Sequence, residues 1–285
     1  MTYLRALTTA AAVVTALLVS PSSASVGCTS TVTWKQVGVD SWQLPDAGLR
    51  SQGVATDGTS WFFSWQYGLE HANDAYVDLL PRVVAIPGPL LLAGSDHIGD
   101  IDYYKGKLVV PIEDGHDNYQ HPYLAFANPK TLAIGSYSAV PWQLQTEGVP
   151  WVAVDSKRAL AYTAEWNKTT QLNVFDLNNH FAYLRSIPLQ YKLSRIQGAK
   201  VYGDTLIATV DDKRKSVYQI SLGTGAISKL FSLNDGDELE GIAIRQMADG
   251  SLVHVILLHG RVQDPSSGFH ATFQHYARML TRRCS

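Results

Sequence analysis

Two short segments, TEGVPWVAVD (Thr146 to Asp155) and LEGIAI (Leu239 to Ile244), place a carboxylate and a glycine ahead of an apolar run. The glycine recurs with similar neighbours in SQGVATDG (Gly53), HIGDIDYYKG (Gly99) and IQGAKVYGD (Gly198), at spacings of 46, 49, 50 and 43 residues along the chain. Around it stand side chains able to ligate or to move protons: Gln52, His97 with Asp100, Glu147, Gln197 and Glu240. A second set closes the next apolar run of each unit: Trp65-Gln66, Glu113-Asp114, Glu165-Trp166, Asp211-Asp212 and His259.

If these sets share one opening, several carboxylates converge there. Desolvated like charges either take up protons or recruit a cation. Oxygen donors from several units suit Ca²⁺, which accepts six to eight at flexible geometry. The expected ligands are Gln52, Asp100, Glu147, Gln197 and Glu240. The competing explanation is that glycine permits a tight strand start while Gln and Glu tie neighbouring units together. For acid/base work the candidates are His97, Glu113, Glu165 and His259, since imidazole titrates near neutral pH and a carboxylate can orient it. Trp65, His116, Tyr119, Trp166 and Asp211 form the expected substrate floor, aromatic faces beside carboxylates being suited to sugars and flat apolar ligands. The segment WQYGLEHANDAY, residues 65–76, is long enough to lid the opening.

What must position these residues is a repeated unit. After each glycine come apolar residues and a turn (Asp57-Gly58, Lys105-Gly106, Asp155-Ser156-Lys157, Gly203-Asp204, Asp249-Gly250), then a β-rich run: WFFSW, KLVVPIE, ALAYTAEW, TLIATVD and LVHVILLH. Third and fourth runs follow, such as QLNVFDLNN and FAYLRSI, with no helix-period stretch between them. Four short strands per unit and five units predict an all-β, five-bladed β-propeller. A six-bladed ring with one degenerate blade, or a β-sandwich, are the alternatives. The last unit is short of a fourth strand, and TVTWKQVGV at residues 31–39 is a spare one that can close the ring. Closure would bring the only cysteines, Cys28 and Cys284, together as a disulfide, with roughly 5 kcal/mol as the upper stabilisation for so long a loop. Lipid attachment at Cys28 is the alternative use of that residue.

The Glu-Gly starts of inner strands, with TEGVPWVAVD followed by ALAYTAEWNKTT, resemble the calcium-activated nucleotidases, or apyrases. That resemblance implies a secreted five-bladed propeller with a calcium held by residues from each blade. It covers about forty residues, and the family's basic nucleotide-binding residues have no evident counterpart.

The first residues carry Arg5, an apolar run from Ala6 to Val19 and a small-residue patch at Ser22-Ser23-Ala24, the layout of a secretory signal peptide over residues 1–24. The expectation is a secreted, extracellular, monomeric domain over residues 25–285. A formal charge of −2, one unit more negative without Arg5, and the absence of any basic block beyond Lys213-Arg214-Lys215 and Arg282-Arg283 argue against nucleic acid as a partner. No second apolar run is long enough to span a membrane. Dinucleotide, P-loop, HExxH and GxSxG motifs are absent from the sequence. Together these features point to a calcium-dependent hydrolase or lyase acting at the channel mouth on an anionic or carbohydrate-like small molecule. A lectin-like or scaffold propeller without turnover is the rival.

Overall fold

The computed structural model describes residues 28–115 and 119–284. The proposed signal peptide and His116 lie outside the described residues, as do the side chains of Cys28 and Cys284. Two units are distinguished, a terminal one drawn from residues 1–31 and 280–285, and a large one spanning residues 32–279. In the terminal unit the described residues are all in strand.

The large unit is a five-bladed propeller of antiparallel sheets. Blade 1 contains strands Gly53–Thr56, Trp61–Trp65, Gly68–Ala72 and Asp78–Arg82, from the axis outward. Blade 3 runs Ala153–Asp155, Leu160–Thr163, Thr169–Asp176 and Ala182–Leu193; blade 4 runs Ile196–Tyr202, Thr205–Val210, Ser216–Ser221 and Ile227–Ser232. Blade 5 has Glu238–Ile244, Ser251–His259 and His270–Cys284, and its outermost strand is the N-terminal Cys28–Trp42. The ring therefore closes as the spare strand predicted, over a longer stretch than residues 31–39.

Blade 2 departs from the pattern in a way that matters for the axis. Its inner strand is split into His97–Ile98 and Asp102–Tyr104, both paired with Lys107–Glu113, and outward lie Tyr123–Ala127 and Ile134–Ala139. In the gap, Asp100 leaves its own sheet and bridges to Trp151 at the start of blade 3.

Successive side chains of a strand point to opposite faces, so a blade between two others buries both. Phe62 and Leu69 pack toward blade 2 with Leu108 and Val110, while Trp61 and Phe63 pack toward blade 5 with Ile256 and Phe273. Five apolar clusters result, one at each blade interface. This is why the second strands read as continuous apolar runs rather than alternating ones. Among the described residues no helix is long and apolar enough to cross a membrane.

Candidate functional site at the channel mouth

The repeated glycines have a steric cause. At Gly241 an added Cβ would lie 2.6 Å from the Gly53 Cα and 2.8 Å from Asp100 Oδ1. At Gly99 it would collide with the Pro150 carbonyl. Inner strands converge so closely on the axis that only hydrogen fits at these positions.

Above this constriction lies a cavity of about 270 Å³, lined by Gln52, His97, Glu113, Gly115, Tyr119, Pro150, Trp166, Gln197, Glu238 and Glu240. Every blade contributes at least one of these residues. Seven residues singled out from sequence meet there: Gln52, His97, Glu113, Tyr119, Trp166, Gln197 and Glu240.

At its centre is a relay. Glu113 ends the second strand of blade 2, and its Oε1 lies 3.0 Å from His97 Nδ1. The other oxygen, Oε2, accepts a short hydrogen bond from the Val149 N–H at the start of blade 3. On the far side of the ring, His97 Nε2 is 2.8 Å from Gln52 Oε1. The carboxylate thus orients the imidazole and aims Nε2 across the cavity wall. On the opposite wall, Trp166 Nε1–H donates to Gln197 Oε1 at 3.0 Å, and Gln197 Nε2 donates to Glu238 Oε1 at 3.2 Å.

Glu240 is the exceptional carboxyl. It is buried yet its side chain makes no hydrogen bond among the described residues. Burial first, then the charges of Glu238, Asp211 and Asp100, hold its pKa well above the carboxylate range. Burial and Asp211 also raise Glu238. The protonated, neutral form of Glu240 is favoured in consequence.

Other residues expected at the site stand elsewhere. Glu147 is on the rim, 3.4 Å from Lys168 Nζ. Glu165 accepts from the Thr146 N–H and hydroxyl, at 2.8 and 2.6 Å. Asp211 accepts from the Leu239 N–H at 2.9 Å and is ion-paired to Arg195 and Lys215. It therefore ties blade 4 to blade 5 as Glu113 ties blade 2 to blade 3. His259 stacks on His270 at 4.5 Å and meets Thr272 Oγ1 at 3.3 Å, outside the cavity. Trp65 packs edge-on against Tyr67. Within residues 65–76, Gly68–Ala72 is a strand of blade 1 rather than a lid.

Asp100 lies below the cavity, fully buried. Its Oδ1 accepts from the Val54 N–H at 2.9 Å, and its Oδ2 from Lys200 Nζ at 2.6 Å and the Ala199 N–H at 3.2 Å. Four of the five expected calcium ligands are already engaged by protein partners: Asp100 by an ammonium and two N–H groups, Glu147 by Lys168, Gln52 by His97 and Gln197 by Trp166, which leaves Glu240. Among the described residues no group of three or more His, Cys, Asp or Glu is arranged to hold a metal.

Sequence reasoning missed Glu238 and Lys200. Glu238 lies two residues before Glu240, on the same face of a strand. Lys200 was visible as a lone charge inside the apolar strand IQGAKVY.

No protein-family model and no curated protein matches this chain, so the likeness to nucleotidases finds no support there. Solved structures do match. A glutaminyl cyclase from Myxococcus xanthus aligns with a TM-score of 0.56 at 9% identity, over 87% of this chain and 98% of that one. A gluconolactonase from Xanthomonas campestris, XC5397, gives 0.49 at 7% identity, over 76% and 68%. At such identities the likeness bears on the fold alone, and the first of them agrees with the five-bladed ring.

Proposed function

We propose that this propeller is an enzyme that moves protons at its channel mouth, with His97 as base, Glu113 as the residue that orients it, and Glu240 as the acid. The observation that carries this reading is a carboxylate-oriented imidazole and a buried carboxyl without a side-chain hydrogen bond lining one cavity, the latter with its pKa raised by burial. In the neutral ring whose Nδ1–H is held by Glu113, Nε2 carries a lone pair, so Gln52 turns its amide NH₂ rather than its oxygen toward it. A substrate X–H that displaces that amide meets a free acceptor. Nε2 takes the proton, and the imidazolium that forms is stabilised by the carboxylate. Glu240 gives its proton to the leaving group, which suits a hydrolase or a lyase equally.

Among the described residues no Lys or Arg lines the cavity, whereas three carboxyl groups do. Charge therefore favours a neutral, hydroxyl-rich or amine-bearing substrate over an anionic one, with Trp166 and Tyr119 as the aromatic wall. A cyclase acting on a glutaminyl group, the activity named for the Myxococcus xanthus protein, belongs to that class of substrate. Export from the cell accords with the leader-like N-terminus. The rival, a binding propeller, draws on the way Gln52 and Gln197 are already engaged by protein partners.

The deciding experiment is a panel of neutral, amine-bearing and anionic small substrates of matched size. Turnover confined to the first two classes, with Glu113→Gln lowering kcat by about 10²- to 10⁴-fold at little cost in KM, is the expected result. Full activity in Glu113→Gln and His97→Asn would remove the relay from the chemistry. Binding without turnover across the panel would leave the binding module.

A further inference from the structure

We infer that the axis of this propeller is a cation site whose cation is the chain's own Lys200 ammonium. Asp100 and Asp102 both come from the split inner strand of blade 2, and Lys200 reaches them from the inner strand of blade 4. Its Nζ is 2.6 Å from Asp100 Oδ2 and 3.1 Å from the Ala199 carbonyl. Asp102 feels the same charge; its Oδ2 accepts from the Val154 N–H of blade 3 at 2.7 Å. Lys200 is only 4% exposed and Asp100 not at all.

The ring is organised about this group. Through Asp100 and Asp102, blade 2 holds backbone N–H groups of blade 1 (Val54), blade 3 (Val154) and blade 4 (Ala199). Blade 5 approaches without a hydrogen bond, its Gly241 lacking the Cβ that would press on Asp100 Oδ1. Two carboxylates cannot remain ionised in so closed a space without a positive charge beside them. Burial raises both, Asp100 to about 7, and Lys200 acts against that rise. An ammonium with three donors on a flexible stem fits a crowded axis, whereas Ca²⁺ asks for six to eight oxygens. The chain thus supplies internally the charge that a bound metal would otherwise bring, and its fold does not depend on a divalent ion.

Thermal unfolding of four proteins tests this, with elemental analysis of the purified wild type. Wild type should carry no stoichiometric calcium and shift by less than about 1 °C with chelator. Lys200→Met, which keeps the stem and removes the charge, should lower Tm by about 10 °C, as breaking a buried pair does in a chain of this size. The double variant Asp100→Asn with Lys200→Met should regain part of that loss, because the fully buried carboxylate is gone and only Asp102, held by the Val154 N–H, is left without the ammonium. Lys200→Ala should be partly restored by millimolar propylammonium and not by matched NaCl or CaCl₂. Stoichiometric calcium, a chelator-sensitive wild type, or a Lys200→Met protein as stable as wild type would overturn the inference. If Lys200→Met fails to fold, the double variant decides: recovery supports the charge argument, and a second failure overturns it. None of these readouts depends on catalysis, so they stand or fall apart from the acid/base reading of the mouth.

Discussion

At the scale of the residue, Glu240 separates stability from chemistry. Its folded pKa lies well above its unfolded value near 4.5, so the folded state keeps the proton that the unfolded state releases. The contribution of Glu240 to stability is therefore full below pH 4.5 and falls as pH rises, by about 1.4 kcal/mol per pH unit until the folded pKa is reached. Glu240→Gln, neutral at every pH, removes that slope. Chemical denaturation of both proteins at pH 5 and pH 8 should show the variant gaining on wild type at the higher value, while its kcat drops by about 10²-fold or more. An unchanged difference between the two pH values would mean that Glu240 is ionised in the folded protein. The acidic mouth itself was legible in the sequence because glycine marked each inner strand and fixed which residues share a face. Which carboxyl meets which partner was not, since Asp100, Glu113 and Asp211 are drawn to backbone N–H groups of a neighbouring blade, and strand position alone does not show that pairing.

At the scale of the element, the last sheet carries a buried histidine pair that answers to acid. His254 donates from Nε2 to the Arg245 carbonyl at 2.8 Å, leaving Nδ1 to accept from His275 Nδ1 at 2.7 Å. His275 Nε2 in turn reaches Asp40 on the N-terminal strand at 2.9 Å. Around them stand Tyr76, Trp61 and Phe273, with Arg245 and Asp249 close enough to act on His254. Burial pushes His254 down to about 4, and a proton on its Nδ1 would face the His275 N–H. Because the unfolded imidazole takes a proton near 6.5, the stability held above that value is lost as pH falls toward 4, on the order of 2–3 kcal/mol in all. His254→Phe, which keeps a ring without a titrating nitrogen, should flatten the melting temperature between pH 6.5 and 4; an equally steep decline would place the acid sensitivity elsewhere. A second test concerns blade 1, where Arg50 is buried between Glu70, at 2.6 Å, and Asp78. Arg50→Met strands a buried carboxylate and should cost about 3–5 kcal/mol in equilibrium unfolding. Strand order and blade count were readable from turn spacing and apolar runs. The split inner strand of blade 2 was not, because its cause is the pull of Asp100 toward the axis, a tertiary contact with no local signal.

At the scale of the whole molecule, the ring is closed by a strand from the opposite end of the chain. Cys28–Trp42 lies outside His270–Cys284 in blade 5, so one sheet is completed by residues more than two hundred positions away. Its contribution is specific as well as topological. Trp42 stacks on Phe273 at 5.7 Å, meets Phe63 edge-on at 5.4 Å and lies under the Arg50 guanidinium at 4.5 Å. Gly38 leaves room for His275, whose ring would be 3.2 Å from an added Cβ. Without this strand the blade would expose a long unpaired edge, which invites pairing with other chains. Removing residues 28–42 should therefore abolish the cooperative unfolding transition and drive the protein into higher oligomers, as read by calorimetry and size-exclusion chromatography. A synthetic peptide of residues 28–42 supplied in trans should restore a monomeric, cooperatively melting species by adding the missing strand to the open edge. The same peptide with Trp42→Ala should restore it poorly, since it lacks the aromatic group that joins blade 5 to blade 1. A truncated protein that stays monomeric and melts as the full chain does would show that four blades and an incomplete fifth suffice, and that closure by the N-terminal strand adds nothing to the stability of the ring.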